Sequence, residues 1–333
     1  MTPSDAVLGA ALMRRATEAD CCCGPDRGLL KLLREDAPIY DGRGAIEAER
    51  LRAFVMECVS RAGLAGEALA FIREDLETAT DPYTIAAAAR AVRHLSSVPT
   101  DIEALLRGAA DRVRYVDENV CLDVYPAPQA ADGRSAVAEA METLAMVGLV
   151  ARGEAEIPTE VDAPEDAIVR LRDVALEDQD GQETTFGRLF LGHPSVIAFF
   201  YTRCMNPDKC SRTIGRLGAL QDLVADTGAI VAGITYDPAY DGPERLHRYG
   251  KDRGFRFGPR ARLLRSAGSF EPIRQTLLLG VGYGTATVNR HAVEVFVADP
   301  AGRLVSFRTR ELWDERDVAE AVRRAVSEPH AVR

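Results

Sequence analysis

The sequence predicts two domains of different class: an all-α N-terminal domain and an α/β C-terminal domain. Three observations predict this. Apolar residues recur at helical spacing through residues 1–150 and carry no strand signal. Residues 152–167 (RGEAEIPTEVDAPEDA) have no apolar period and hold two prolines among many acids, as a linker does. Beyond them, continuous apolar runs alternate with helical stretches. The expected boundaries are residues 1–151, a linker over 152–167, and residues 168–333.

In the first half, Leu51, Phe54, Val55, Cys58 and Ala62 form one helical stripe, which Gly63 ends. Leu69, Ile72 and Leu76 form a second. Asp81 and Pro82 supply an N-cap and a first-turn proline for a helix carrying Ile85, Ala88, Val92 and Leu95. Asp101 caps the next, with Ile102, Leu105, Leu106, Ala109 and Val113 inside. A last helix carries Val137, Met141 and Leu144 and stops at Gly148. Successive short helices suggest HEAT- or armadillo-like stacking, with the pair 66–78 and 82–96 repeating as 101–115 and 134–148. A compact helical bundle is the rival. Either way the expected role is a scaffold or partner surface.

In the second half, Val174 and Leu176, the turn Gln179–Gln182 and Thr184–Phe186 read as a hairpin. Pro194–Tyr201 (PSVIAFFY) and Ala229–Tyr236 (AIVAGITY) read as strands buried on both faces. Helices are expected over 207–225, 243–253 and 269–279. Val293, Val295 and Val297 begin a strand that turns at Asp299–Gly302 and returns through Leu304–Phe307, before a closing helix over 314–326. This element order is that of a thioredoxin-like fold.

Composition bounds the function. The chain has 333 residues, 47% hydrophobic and 28% charged, with a formal net charge of -10. A surface that acidic repels phosphate backbones, which argues against nucleic acid. No stretch reaches the length of a membrane span, and the N-terminus shows no basic region leading into an apolar one, so a cytoplasmic protein is expected. Seven cysteines in that setting point to thiol chemistry or metal rather than a disulfide framework.

The chemistry converges on Cys204 and Cys210. Cys204 follows the first buried strand, at the carboxyl end where open α/β sheets bind ligands. Asn206 and Pro207 then suit an N-cap and first helical residue, which puts Cys210 in the first turn. There the macrodipole should lower its pKa, helped by Arg203 and Lys209 and opposed by Asp208. His291 is expected to start a strand after the glycine-rich segment Gly280–Gly284, a mobile loop that would let it approach the thiols. Two thiolates and one imidazole are a soft, low-coordinate set. It suits Cu(I), or Zn(II) with a fourth ligand.

Four segments resemble the SCO/SenC family: LEDQDGQETTFGRL from Leu176, VIAFFYTRC ending at Cys204, ITYDP ending at Pro238, and HAVEVFVADPAGRL from His291. The resemblance implies a thioredoxin-like copper chaperone or thiol-disulfide oxidoreductase of cytochrome c oxidase assembly. It also implies copper ligation by two cysteines and a distal histidine, matched by Cys204, Cys210 and His291. Five residues separate the cysteines where the family usually has three, and Arg290 stands where aspartate is common. The first functional expectation is therefore a copper-binding protein that holds or delivers Cu(I), with the helical domain choosing a protein partner or metal acceptor. The second is a redox enzyme using Cys204 and Cys210 as catalytic thiols on a small-molecule or peptide substrate. Cys21–Cys23 read as a soft-metal or relay candidate, Cys58 as core, and Cys121 as a cysteine without a visible partner.

Overall fold

The computed structural model describes residues 3–18, 24–127, 133–147 and 163–327. The chain divides into two compact units, Met1–Thr159 with Gly282–His291, and Glu160–Val281 with Ala292–Arg333. The Cys21–Cys23 run and residues 152–162 of the expected linker lie outside the described residues.

The described part of the first unit is mainly helical: α1 (Pro3–Thr17), α2 (Gly28–Lys31), α3 (Ala45–Arg61), α4 (Leu69–Thr78), α5 (Pro82–Val92), α6 (Ile102–Val113) and α7 (Ala136–Val147). A short ribbon of β1 (Asn119–Val120) and β2 (Arg134–Ser135) precedes α7. Asp81 caps α5 as its sequence position suggests, accepting from the backbone N–H groups of Tyr83 and Thr84 at 3.1 and 2.9 Å. Helix α3 packs on α5, α4 on α5 and α6, and α7 on both α5 and α6. The buried stripes Leu51, Val55 and Cys58, Ile72 and Leu76, and Ile85, Ala88 and Val92 form one core.

That core also buries charge. Arg52 is 1% exposed, donates through Nε to the Leu33 carbonyl at 3.0 Å and pairs with Asp75. Glu35 lies 3.9 Å from Arg52, and Arg290 lies 3.8 Å from Asp75. Burial raises the Asp75 pKa, and the Arg52 charge opposes that. Removing one member would strand the others in a low dielectric.

The second unit is a thioredoxin-like α/β domain. It begins with α8 (Ala167–Arg170), the hairpin β3 (Ala175–Asp178) and β4 (Glu183–Thr185), and α9 (Phe186–Phe190). Then follow β5 (Ser195–Phe200), α10 (Arg212–Leu223), β6 (Ile230–Thr235), α11 (Pro243–Lys251), β7 (Ala261–Ser266) and α12 (Glu271–Thr276). The chain then forms a separate two-stranded sheet of β8 (Val281–Tyr283) and β9 (Val288–His291), of which Gly282–His291 falls in the first unit, and the second unit resumes with β10 (Glu294–Ala298), β11 (Leu304–Thr309) and α13 (Glu315–Ser327). The seven-stranded sheet runs β11-β10-β5-β6-β7-β3-β4. Strands β5, β6 and β7 are parallel neighbours, and the outer pairings are antiparallel. All six residues of β5 and all six of β6 are buried, as their unbroken apolar runs require.

One strand is unanticipated and one local expectation needs correction. Strand β7 lies between the helices expected over 243–253 and 269–279, in a segment for which no element is expected, and Arg262 and Arg265 interrupt its apolar residues. The structure pairs those arginines with Asp178 and Glu177 of the adjacent β3, so the charges are neutralised in the sheet. The glycine-rich segment before His291 is a β-hairpin rather than a mobile loop, and His291 ends β9 rather than starting the next strand. A Cβ on Gly282 would lie 2.2 Å from the Glu35 carbonyl oxygen. The glycine is there for close backbone approach.

Candidate metal and thiol site

The site begins where β5 ends. The Tyr236 N–H donates to the Phe200 carbonyl at 2.6 Å, which extends the β5–β6 register to the last residue of β5. The chain then leaves the sheet through Tyr201–Asn206. Buried Asp241 holds this loop: it accepts from the Thr202 N–H at 3.0 Å, from the Thr202 hydroxyl, and from the Thr235 hydroxyl at 2.5 Å. Arg203 pairs with Asp237 at 2.5 Å and lies over the Tyr240 ring, 3.9 Å from its centroid.

Asn206 caps the following helix, its side chain accepting from the Asp208 N–H at 3.0 Å, with Pro207 next. This first turn, Pro207–Ser211, is a π turn that passes into α10. Cys210 is carried on it and is 1% exposed, whereas Cys204 on the preceding loop is half-buried. Cys210 Sγ accepts from the Tyr201 N–H at 3.4 Å, and Cys204 Sγ donates to the Asn206 carbonyl at 3.5 Å.

His291 is 6% exposed and leads directly into Ala292. The Ala292 N–H donates to the Gly280 carbonyl at 2.7 Å, which fixes the backbone on either side of the hairpin. One sulfur from Cys204, one from Cys210 and one ring nitrogen of His291 all lie within 4.8 Å of one another. No other group of three or more histidine, cysteine or acidic side chains is so arranged among the described residues.

The protonation of Cys210 runs against the sequence expectation. Burial pushes its pKa well above the ordinary thiol value, and the neighbouring Cys204 pushes it further. The Tyr201 N–H and Lys209 pull the other way and are outweighed, while Arg203 is committed to Asp237. Desolvation thus exceeds the pull of that N–H and of Lys209. Tyr201 is likewise held protonated, first by burial and then by the charge of Cys204 and Cys210. Cys210 therefore keeps its proton until a metal or an oxidant displaces it.

The remaining candidates fall outside this group. Cys58 is fully buried in the helical core, and burial raises its pKa to about 12. Cys121 is half-buried. His247 stacks on Phe257 with ring centroids 4.7 Å apart, and 3.4 Å separates it from Asp180.

Residues 171–327 match the family model described as SCO1/SenC. The C-terminal half is a SCO1/SenC domain. Among solved structures the chain is similar to ScoI of Arabidopsis thaliana with copper bound, at 22% identity and a TM-score of 0.39 over 46% of this chain and 96% of that one. It is also similar to a putative electron transfer protein from Aquifex aeolicus VF5, at 20% identity and 0.41 over 52% and 97%. A third is a SCO1/SenC family lipoprotein from Bacillus anthracis, at 20% identity and 0.40 over 46% and 92%. No match was found among curated proteins. No described helix is long and apolar enough to cross a membrane. Within the SCO1/SenC domain, sequence reasoning missed Glu294 and Asp241. The one signal that could have found the first is a glutamate inside the otherwise apolar run from Ala292 to Ala298.

Proposed function

We propose that the protein binds Cu(I) through Cys204, Cys210 and His291 and passes it to a protein partner. The observation that carries this is the convergence of two sulfurs and one imidazole nitrogen within 4.8 Å. The donor set fits the ion: thiolates are soft, three ligands suffice for Cu(I), and hard cations prefer oxygen. Copper is cargo here. The protein supplies two thiolates and an imidazole, shields Cys210 and His291 from water, and leaves Cys204 as the open side of the set.

Exchange with a partner would proceed at Cys204, since an incoming ligand needs access to the ion. The helical unit is the surface we assign to partner choice. A compartment that keeps thiols reduced, such as the cytoplasm, suits the reading, because a disulfide offers no thiolate to the metal.

A second reading uses the same pair for thiol-disulfide exchange. What favours it is the inequality of the two cysteines, one reachable and one buried, which suits an attacking thiol and a resolving thiol. Metal analysis of anaerobically purified protein, with and without added Cu(I), separates the two. One copper per chain supports carriage. A copper-free protein that exchanges disulfides with a dithiol supports the redox reading.

A further inference from the structure

Glu294 is a carboxylate inside the sheet, 2% exposed, on a strand whose residues are all buried. Its two oxygens serve two different segments. Oε2 accepts from the Tyr236 hydroxyl at 2.5 Å, just past the end of β6. Oε1 accepts from the Gly280 N–H at 2.9 Å. The Gly280 carbonyl in turn accepts from the Ala292 N–H at 2.7 Å. Gly280 and Ala292 are the two sides of the neck from which the β8–β9 hairpin projects, and His291 is the last residue before that neck closes. Tyr236 also donates its backbone N–H to Phe200, the residue before the cysteine loop starts. One carboxylate therefore joins the neck beside the histidine to the strand end beside the cysteines.

We infer that Glu294, clamped by Tyr236, is the positioning residue for His291: it fixes the hairpin neck so that the imidazole stays within reach of both thiols. This rests on the copper reading of the Cys204–Cys210–His291 group. A backbone N–H such as that of Gly280 has few other ways to be satisfied inside a sheet, so the carboxylate is not replaceable by water without opening the neck. Partners that orient a metal ligand typically change affinity by about 10–100-fold when lost.

The test uses the full chain and two substitutions, Glu294→Gln and Tyr236→Phe. In Glu294→Gln the amide oxygen can stay on the Gly280 N–H only if the NH2 turns to the Tyr236 hydroxyl, which must then accept instead of donate, so the charge-assisted bond from Tyr236 is lost. Tyr236→Phe removes a single hydroxyl and keeps the ring stacked on Phe199, 5.6 Å between centroids. It carries the test if Glu294→Gln does not fold. Two quantities are read: the rate of diethyl pyrocarbonate modification at His291 in metal-free protein, by mass mapping, and Cu(I) affinity by chelator competition.

The expected result is a modification rate raised about tenfold and a copper affinity lowered about tenfold, with Cys204 and Cys210 still protected from alkylation by Cu(I). Leu220→Ala, a core change in α10, is the control for general destabilisation. It should leave both quantities at wild type at the same distance below its own thermal midpoint. Folded variants with wild-type modification and affinity overturn the inference, and so does a control that reproduces the effect. If wild-type protein takes up no copper, the copper reading falls and the modification rate alone decides: acceleration in the variants sustains the clamp, an unchanged rate refutes it.

Discussion

Cu(I) affinity should fall by at least tenfold for each pH unit of acidification between pH 8 and pH 6. The perturbation is the proton itself, and the residue that feels it is Cys210. Burial and the neighbouring Cys204 hold this thiol well above its ordinary value, so it is protonated throughout that window. Ligation needs the thiolate, hence each ion bound releases the Cys210 proton. The sign follows: acid favours the protonated thiol and opposes binding, and alkali favours binding. One proton per ion is worth about 1.4 kcal/mol per pH unit. Over two units that amounts to about 2.7 kcal/mol, or roughly a hundredfold, from Cys210 alone. The assay is anaerobic competition with a Cu(I) chelator of known pH dependence. Cys210→Ser should flatten the slope by about one decade per unit. A wild-type affinity that does not change between pH 8 and pH 6 would show that Cys210 is already ionised or is not a ligand, and the account of this thiol would be wrong.

Three further outcomes are expected. Mild oxidation of protein with Cys21, Cys22 and Cys23 changed to serine should join Cys204 to Cys210, reversibly and with loss of copper uptake. Mass mapping that finds both thiols free, or copper uptake unaffected by the cross-link, contradicts this. Asp75→Ala should destabilise the helical unit by about 3–5 kcal/mol, because Arg52 and Arg290 both lose a buried counter-charge and Arg52 is left with the more distant Glu35. Urea unfolding reads it, and a loss under about 1 kcal/mol would mean the cluster is hydrated. Alkylation of native protein should spare Cys58, whose thiol is buried and held protonated, until the helical core unfolds. Modification of Cys58 at the rate of an exposed thiol would contradict the packing of α3.

The chain is unevenly legible from its sequence, for identifiable reasons. Strands β5 and β6 are readable because both faces are covered and their apolar runs are unbroken. The caps at Asp81 and Asn206 are readable because capping is local chemistry. Strand β7 is not, since two arginines break its pattern and their partners on β3 lie far away in sequence. The cysteine pair is visible from its place after a buried strand. The protonation of Cys210 is not, because the macrodipole is a local property and burial is a tertiary one. The hairpin before His291 looks like a flexible loop because glycine there serves close backbone approach, which sequence does not distinguish from freedom. Glu294 looks like an isolated acid between valines, since only the fold brings Tyr236 and Gly280 to it.

The central claim is that one ion is held by Cys204, Cys210 and His291 together. X-ray absorption on anaerobically loaded protein, with copper quantified per chain, tests it most directly. The account predicts one Cu(I) with two sulfur neighbours and one imidazole, and strong loss of copper in Cys204→Ser, Cys210→Ser and His291→Ala alike. A wild-type protein that stays copper-free, or three variants that keep wild-type copper, would contradict it.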